Sequence, residues 1–374
     1  MSDTNPYNDL IEHYRNWIFG LPDSEFLQPM LEARFTPEDA QFLAQIPFIG
    51  HNIEKLSSKL SMPLEKLKEK LDFFAKNGII LRSTRGDKIR YALCDSDFVF
   101  YRSTGWRTEL DDWSHEMAKP QVNYWINDYA RGFLGHKTQG LRSVPINKTI
   151  EDPRKVMPYE DIIKIIDNLD YYSVSICPCA SKYNIVPEFH DCDHNFERCL
   201  HFGDLGRYCV EEGLGREITK EETLEILKRS ADEGLVHGVS NIQDLKNIDT
   251  ICNCCSCCCV FLDSLVKMPG IIPRGHQKSN YLRAIKEEDC IGCGVCVKSC
   301  PMNALELEDK KVIFEAERCL GCGVCVHKCK QNATYLKHRE GEQDIPKDGR
   351  EQVTRYLTER GLEPNESFRR NFIM

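Results

Sequence analysis

The stretches CIGCGVCVKSCP (290–301) and CLGCGVCVHKCK (319–330) place cysteines at 290, 293, 296 and 300, and again at 319, 322, 325 and 329. Gaps of two, two and three residues recur, and the second run starts 319 − 290 = 29 residues after the first. Self-similarity at a fixed offset marks one small structural unit written twice. Each run brings three cysteines near enough along the chain to wrap one metal centre. Glycines at 292, 294, 321 and 323 let the backbone approach that centre closely.

Working outward, the chain has 374 residues and twenty cysteines; Cys94 stands alone, and the other nineteen lie between Cys177 and Cys329. In an oxidising compartment that density would read as a disulfide framework, whereas a reducing one turns the reading to metal ligation. The N-terminus carries acids where a signal peptide has a basic stretch, and no apolar run follows. With mean hydropathy −0.45, the expectation is a soluble, cytoplasmic chain without a membrane span. Iron–sulfur clusters are then the leading reading, and so large a load of oxidisable thiolates points to an anaerobic host or a shielded site. The formal charge, 49 − 58 = −9, argues against whole-surface affinity for nucleic acid or anionic membrane.

Together the two runs resemble the bacterial two-cluster ferredoxin. The resemblance implies two 4Fe–4S clusters with crossed ligation: Cys290, Cys293, Cys296 and Cys329 hold one, and Cys319, Cys322, Cys325 and Cys300 hold the other. Pro301 follows the first run, but Lys330 stands where the pattern expects a second proline. That position does not ligate, and a cation there would raise one potential. A zinc ribbon, the alternative, uses paired C-x2-C motifs instead of two runs of four.

Two further constellations lie upstream. Cys177-Pro-Cys179, Cys192 within His190-Asp-Cys-Asp-His194, and Cys199 are enough thiolates for another centre, with iron favoured over zinc. Cys209 is a further candidate, and His190, His194 and His201 are secondary ones. Then Cys252-Asn-Cys254-Cys255-Ser-Cys257-Cys258-Cys259 puts six cysteines in eight residues. A strand sends alternate residues to one face and a helix start aligns i with i+4, so all six cannot reach one cube. Either some are spare or two centres share the segment. Cys252, Cys254, Cys255 and Cys257 are the expected ligands, completing a centre begun by Cys177–Cys199. A helix read over Ser256–Lys267 would aim its first N–H groups at that centre. A metal-free redox dithiol group is the bland alternative.

The organisation expected is an α+β multidomain chain: an acidic lead-in (1–35), a winged-helix-like domain (36–95), and a helical linker or dimerisation region (96–140). A Cys-rich α/β domain (141–285), the two-cluster ferredoxin domain (286–336) and a charged tail (337–374) follow. The winged-helix reading rests on three helices opening at Thr36, Asn52 and Pro63, a Gly78 stop and a hairpin around Thr84–Asp87. Residues 52–93 hold ten basic and five acidic side chains, which could grip phosphates. The presumed recognition helix, however, alternates signs and offers no base-reading side chain at its start. Phosphate-binding glycine motifs for ATP or NAD are missing, while a flavin held by backbone stays open.

Over its length the chain resembles a group of anaerobe iron–sulfur binding proteins with a winged-helix start, a C-N-C-C-x-C centre and a ferredoxin end. The resemblance implies a 4Fe–4S electron-transfer protein or oxidoreductase subunit without a defined reaction. One or two further iron–sulfur centres are expected in the middle domain, fed by the ferredoxin module. A redox-sensing regulator and a reductase binding substrate at the central metal are the alternatives. A redox partner protein, a second copy of the chain and, less favoured, DNA are the expected partners.

Overall fold

The structure is a computed structural model, and it describes residues 5–85, 88–106, 112–130, 137–146, 162–186, 192–245, 248–262, 276–341 and 343–363. Helices and strands mix along this length in an α+β arrangement. The lead-in forms α1 (Asn8–Arg15) and α2 (Leu27–Arg34), which bury Leu10, Tyr14, Met30 and Leu31. Next come α3 (Pro37–Leu43), α4 (Ile53–Leu60), α5 (Leu64–Lys76) and the hairpin β1 (Ile80–Arg85)/β2 (Lys88–Leu93). Local chemistry sets these boundaries. The Thr36 and Asn52 side chains accept the Asp39 and Lys55 N–H groups, as N-caps do, and Gly78 leaves α5 at φ 65°.

This hairpin is docked on the middle of the chain. Arg82 reaches Glu212 at 2.8 Å and Glu211 at 3.2 Å, and the Tyr208 hydroxyl donates to the carbonyls of Ala75 and Ile80 at 2.9 and 3.1 Å. Residues 98–105 then form an irregular helical turn, followed by α6 (Asp112–Tyr124), which runs on into a π turn at Trp125–Tyr129. The aromatics of this stretch, Trp106, Tyr124, Trp125 and Tyr129, are buried in the chain's own core.

The middle of the molecule is a seven-stranded sheet in the order β6 (Arg216–Glu217), β4 (Tyr172–Ile176), β5 (Glu197–Phe202), β8 (Thr250–Cys254), β7 (Val236–Ser240), β3 (Leu141–Val144), β9 (His276–Gln277). Neighbours are antiparallel except β3 and β9. On one face α7 (Ile162–Asp167) and α10 (Lys220–Glu233) pack Ile165, Ile166, Ile226 and Leu227 against Val174, Leu200, Val239 and Ile251. Because side chains alternate along a strand, Cys199 and His201 on β5, and Cys252 and Cys254 on β8, take the face opposite Leu200 and Ile251. On that second face lie α8 (Pro178–Ile185) and α9 (Gly203–Glu211).

Thr219 caps α10 by accepting the Glu222 N–H, and the Glu222 carboxylate goes to Arg216 at 2.6 Å. One local expectation needs correction. Ser256–Cys258 is a turn, not the start of a helix, and helical residues begin at Val260. Consecutive cysteines that must face two directions are served by a turn, which a helix would forbid.

C-terminal to the sheet, β10 (Tyr281–Ile285) pairs with β13 (Thr334–His338) around two short helices, α11 (Val295–Lys298) and α12 (Val324–His327), and the hairpin β11 (Leu305–Glu308)/β12 (Lys311–Phe314). The charged terminus contains α13 (Gly349–Glu359), which buries Val353, Tyr356 and Leu357 against Ile18 and Ile49. Among the described helices none is long and apolar enough to cross a membrane.

Candidate metal centres

In the C-terminal module the two cysteine runs interleave. Cys296 lies in the electrostatic field of Cys329 and Cys290, while Cys325 feels Cys322, Cys300 and Cys319. Cys300, Cys319, Cys322 and Cys325 border a cavity of about 360 Å³ closed by Leu320 and Leu336. The Ala304 N–H donates to the Cys300 sulfur at 3.3 Å. Burial raises Cys300 and pushes Cys322 up to about 12, so these thiols ionise readily only when a cation compensates them. Gly292 and Gly321 sit at φ 65° and 71°, and a Cβ on either would run into the carbonyl of Lys310 or Tyr281. A glycine-lined space with sulfurs on its walls and N–H groups aimed at them fits a 4Fe–4S unit.

The central cysteines divide into two groups. In the first, the sulfurs of Cys192, Cys255, Cys257 and Cys258 all lie within 4.8 Å of one another. The sulfurs lie 4.0 Å apart from Cys192 to Cys255, 3.3 Å from Cys255 to Cys258 and 3.7 Å from Cys257 to Cys192. Arg198, fully buried, directs Nη2 at Cys255, Cys192 and Cys258 at 3.3, 3.5 and 3.8 Å. Cys255 is held far below the ordinary thiol range by hydrogen bonds from Cys192, Cys257 and Cys258, against burial and with help from Arg198.

The second group faces a cavity bordered by Cys177, Cys179, Cys199, Cys252, Cys254 and Cys259. Thiols run in series around it, Cys177 beside Cys179, then Cys259, Cys254, Cys252 and Cys199. Cys177 is positioned as the N-cap residue of α8, with Pro178 at the first helical position. Tyr101 and Trp106 from the irregular helical stretch supply the remaining wall, and Trp106 packs on His201 at 4.3 Å between ring centres.

Positive charge surrounds this cavity. Arg102 pairs with buried Asp97 at 2.8 Å, and although burial opposes its charge, Asp97 and Cys252 hold it above its ordinary value. Cys252 is in turn held well below the thiol range, first by Cys199 and Cys254 donating to it and also by Arg102. Lys182 is buried against the Tyr101 carbonyl, and burial drives its pKa well down. Among the described residues, Nε and Nη1 of Arg198 have no hydrogen-bond partner, and neither ring nitrogen of buried His276 has one. His276 stands within 4.8 Å of the sulfurs of Cys254 and Cys259. Six thiols, buried cations and orphaned donors suit a polynuclear anionic centre, which takes thiolate ligands and needs its charge balanced.

The eight cysteines expected upstream fall into these two groups instead of gathering in one. Cys177, Cys179, Cys199, Cys252 and Cys254 belong to the cavity, whereas Cys192, Cys255 and Cys257 belong to the four-sulfur group. Sequence reasoning missed Cys258 and Cys259, which the turn sends to opposite groups, and His276, a lone histidine without patterned neighbours. His194 instead pairs with Glu233 at 3.1 Å, and His201 bonds Thr250 at 3.4 Å with its pKa pushed down to about 3 by burial. Cys209 is buried on α9 outside both groups, and His190 lies outside the described residues.

Against known proteins, no curated protein and no solved structure matches the chain. Residues 289–347, which contain both cysteine runs, match the model of the 4Fe-4S dicluster domain family.

Proposed function

We propose that this chain moves single electrons between a redox partner and the thiolate cavity of its central sheet, by way of the C-terminal module. The observation that carries the reading is continuity. Cys322, Cys300 and Cys319 pack into the same hydrophobic core as Cys252, Cys254 and Cys259. Ile146, just beyond β3, donates its N–H to the Cys322 carbonyl at 3.3 Å. On the same side His327 of α12 meets Asp232 of α10 at 2.7 Å, and Lys328 donates to the Asp232 carbonyl. Cys319, Cys322, Cys325 and Cys300 are therefore the inner set. Cys290, Cys293, Cys296 and Cys329 form the outer one, with Cys293 exposed.

When bound, a 4Fe–4S unit gives and takes one electron at a time. The chain's own residues set where that happens. Ile291 (61% exposed), Val295 and Leu307 leave apolar side chains exposed beside the outer set, suited to brief docking of a partner. Leu320, Leu336 and Phe314 keep water from the inner set. Arg82, the hairpin cation best placed for phosphate, is tied to Glu211 and Glu212, which weakens the DNA-binding reading.

The test is anaerobic rapid mixing of full-length protein with dithionite, comparing the native chain with Cys325→Ser. Loss of an inner ligand should slow reduction of the central chromophore at least tenfold while the outer set still responds. An unchanged central rate would overturn the proposal. A reductase reading has one observation in its favour: six thiols and an unpartnered histidine exceed the four ligands that a cube takes. Cyanide that alters the central spectrum and leaves the ferredoxin signals alone would favour it.

A further inference from the structure

The spacing of the four-sulfur group sets its nuclearity. A single tetrahedral ion with metal–sulfur bonds near 2.3 Å holds its sulfurs about 3.8 Å apart, the edge of the tetrahedron. A cube binds each thiolate to a different iron, which spreads the sulfurs to roughly 6 Å. The sulfurs of Cys192, Cys255, Cys257 and Cys258 all lie within 4.8 Å of one another, with Cys192–Cys255, Cys255–Cys258 and Cys257–Cys192 at 4.0, 3.3 and 3.7 Å. The ferredoxin cysteines of this chain provide an internal comparison. Among the described residues no three of those eight gather within 4.8 Å.

We infer that Cys192, Cys255, Cys257 and Cys258 hold one thiophilic divalent ion, zinc or ferrous iron, in a tetrahedral site separate from the thiolate cavity. Four thiolates around a divalent ion leave two negative charges. Arg198 answers them from inside the protein, with Nη2 donating toward three of the four sulfurs. Its other two nitrogens have no partner, and its side chain also borders the six-cysteine cavity, so one guanidinium lies between the two sites.

The Cys252–Cys259 segment explains why both sites exist. Strand alternation on β8 sends Cys252 and Cys254 to the cavity, Cys255 follows on the other side, and the turn at Ser256–Cys258 adds Cys257 and Cys258 to it. Cys259 then returns to the cavity. The ion pins this turn to Cys192, which lies far away in sequence, and so fixes where the three cavity cysteines of the segment point. This role does not depend on electron transfer.

Full-length protein is to be produced anaerobically in zinc-replete medium and in zinc-depleted, iron-supplemented medium, then measured for zinc, iron and acid-labile sulfide. X-ray absorption at the zinc edge should show four sulfurs near 2.3 Å and no neighbouring metal, with one zinc per chain. In the zinc-depleted sample one iron per chain should appear in Mössbauer spectra as a mononuclear, all-sulfur ferrous species. Cys257→Ser, at the half-buried member of the set, should lose one ion per chain and no sulfide. The inference is overturned if wild-type protein shows neither mononuclear species, or if Cys257→Ser loses iron and sulfide together. Should that variant fail to fold, the wild-type spectra decide alone. Slow electron delivery with a normal zinc edge would count against the electron-transfer reading only.

Discussion

His237 sits on β7 with Nδ1 2.7 Å from the Asn253 side-chain oxygen and almost no exposure, and burial pushes its pKa down to about 4. The folded ring stays neutral where the unfolded one, near 6.5, takes a proton. Stability is therefore complete above pH 6.5 and is lost as the pH falls toward 4. From pH 7 to 5 this one group should cost about 2 kcal/mol. His237→Gln keeps a partner for Asn253 and does not titrate, so its anaerobic unfolding midpoint should fall less over that interval. If the two slopes coincide, other groups, such as the metal thiolates, carry the acid sensitivity. At this scale the sequence is most legible where residues repeat: the eight ferredoxin cysteines can be named from their spacing. His276, Arg198 and Arg102 could not be named, because their significance comes from burial against sulfurs supplied by other elements.

Elements were legible when their end signals were local. Thr36, Asn52 and Gly78 mark helix boundaries in the sequence, and the side chains and backbone angles bear them out. Cys255–Cys259 was misread because a helix and a turn make similar use of a dense apolar run, and the deciding contact, Cys192, is 63 residues away. The stretch at 98–105 had no clean period because its job is to cover a cavity. Gly105 shows how tightly it fits: a Cβ there would lie 2.6 Å from the Cα of Pro178, between the cavity cysteines Cys177 and Cys179. Gly105→Ala must push α8 away, since backbone cannot yield cheaply. It should strip the central cavity of iron yet keep the ferredoxin module loaded, leaving about eight irons per chain. Full central iron in Gly105→Ala, measured with sulfide on the same sample, would show that the cavity tolerates movement of α8.

Over the whole molecule, the terminus that composition marks as a charged tail works as a latch. Glu359 accepts the Thr138 N–H and hydroxyl at 3.1 and 2.6 Å just before β3, and Arg360 donates to the carbonyls of Arg15 and Trp17. Leu357 and Tyr356 pack with Ile18 and Ile49, and Phe19 touches both this cluster and the main core. Charge content hid this role because only one face of α13 is apolar, and its apolar partners Ile18 and Ile49 are over 300 residues away. The main core runs unbroken from α1, through the cavity cysteines, to Val324 of the ferredoxin module. A continuous core predicts that these parts lose structure together, although the chain reads as several domains. Leu357→Ala removes a nearly fully buried side chain from the latch without touching any cysteine, and should cost about 2–3 kcal/mol. In anaerobic thermal unfolding, circular dichroism and the visible absorbance of the clusters should shift down together, by several degrees. Were the absorbance midpoint to stay put while the helical signal shifted, the ferredoxin module would be an independent folding unit, and the latch would serve only the N-terminal half.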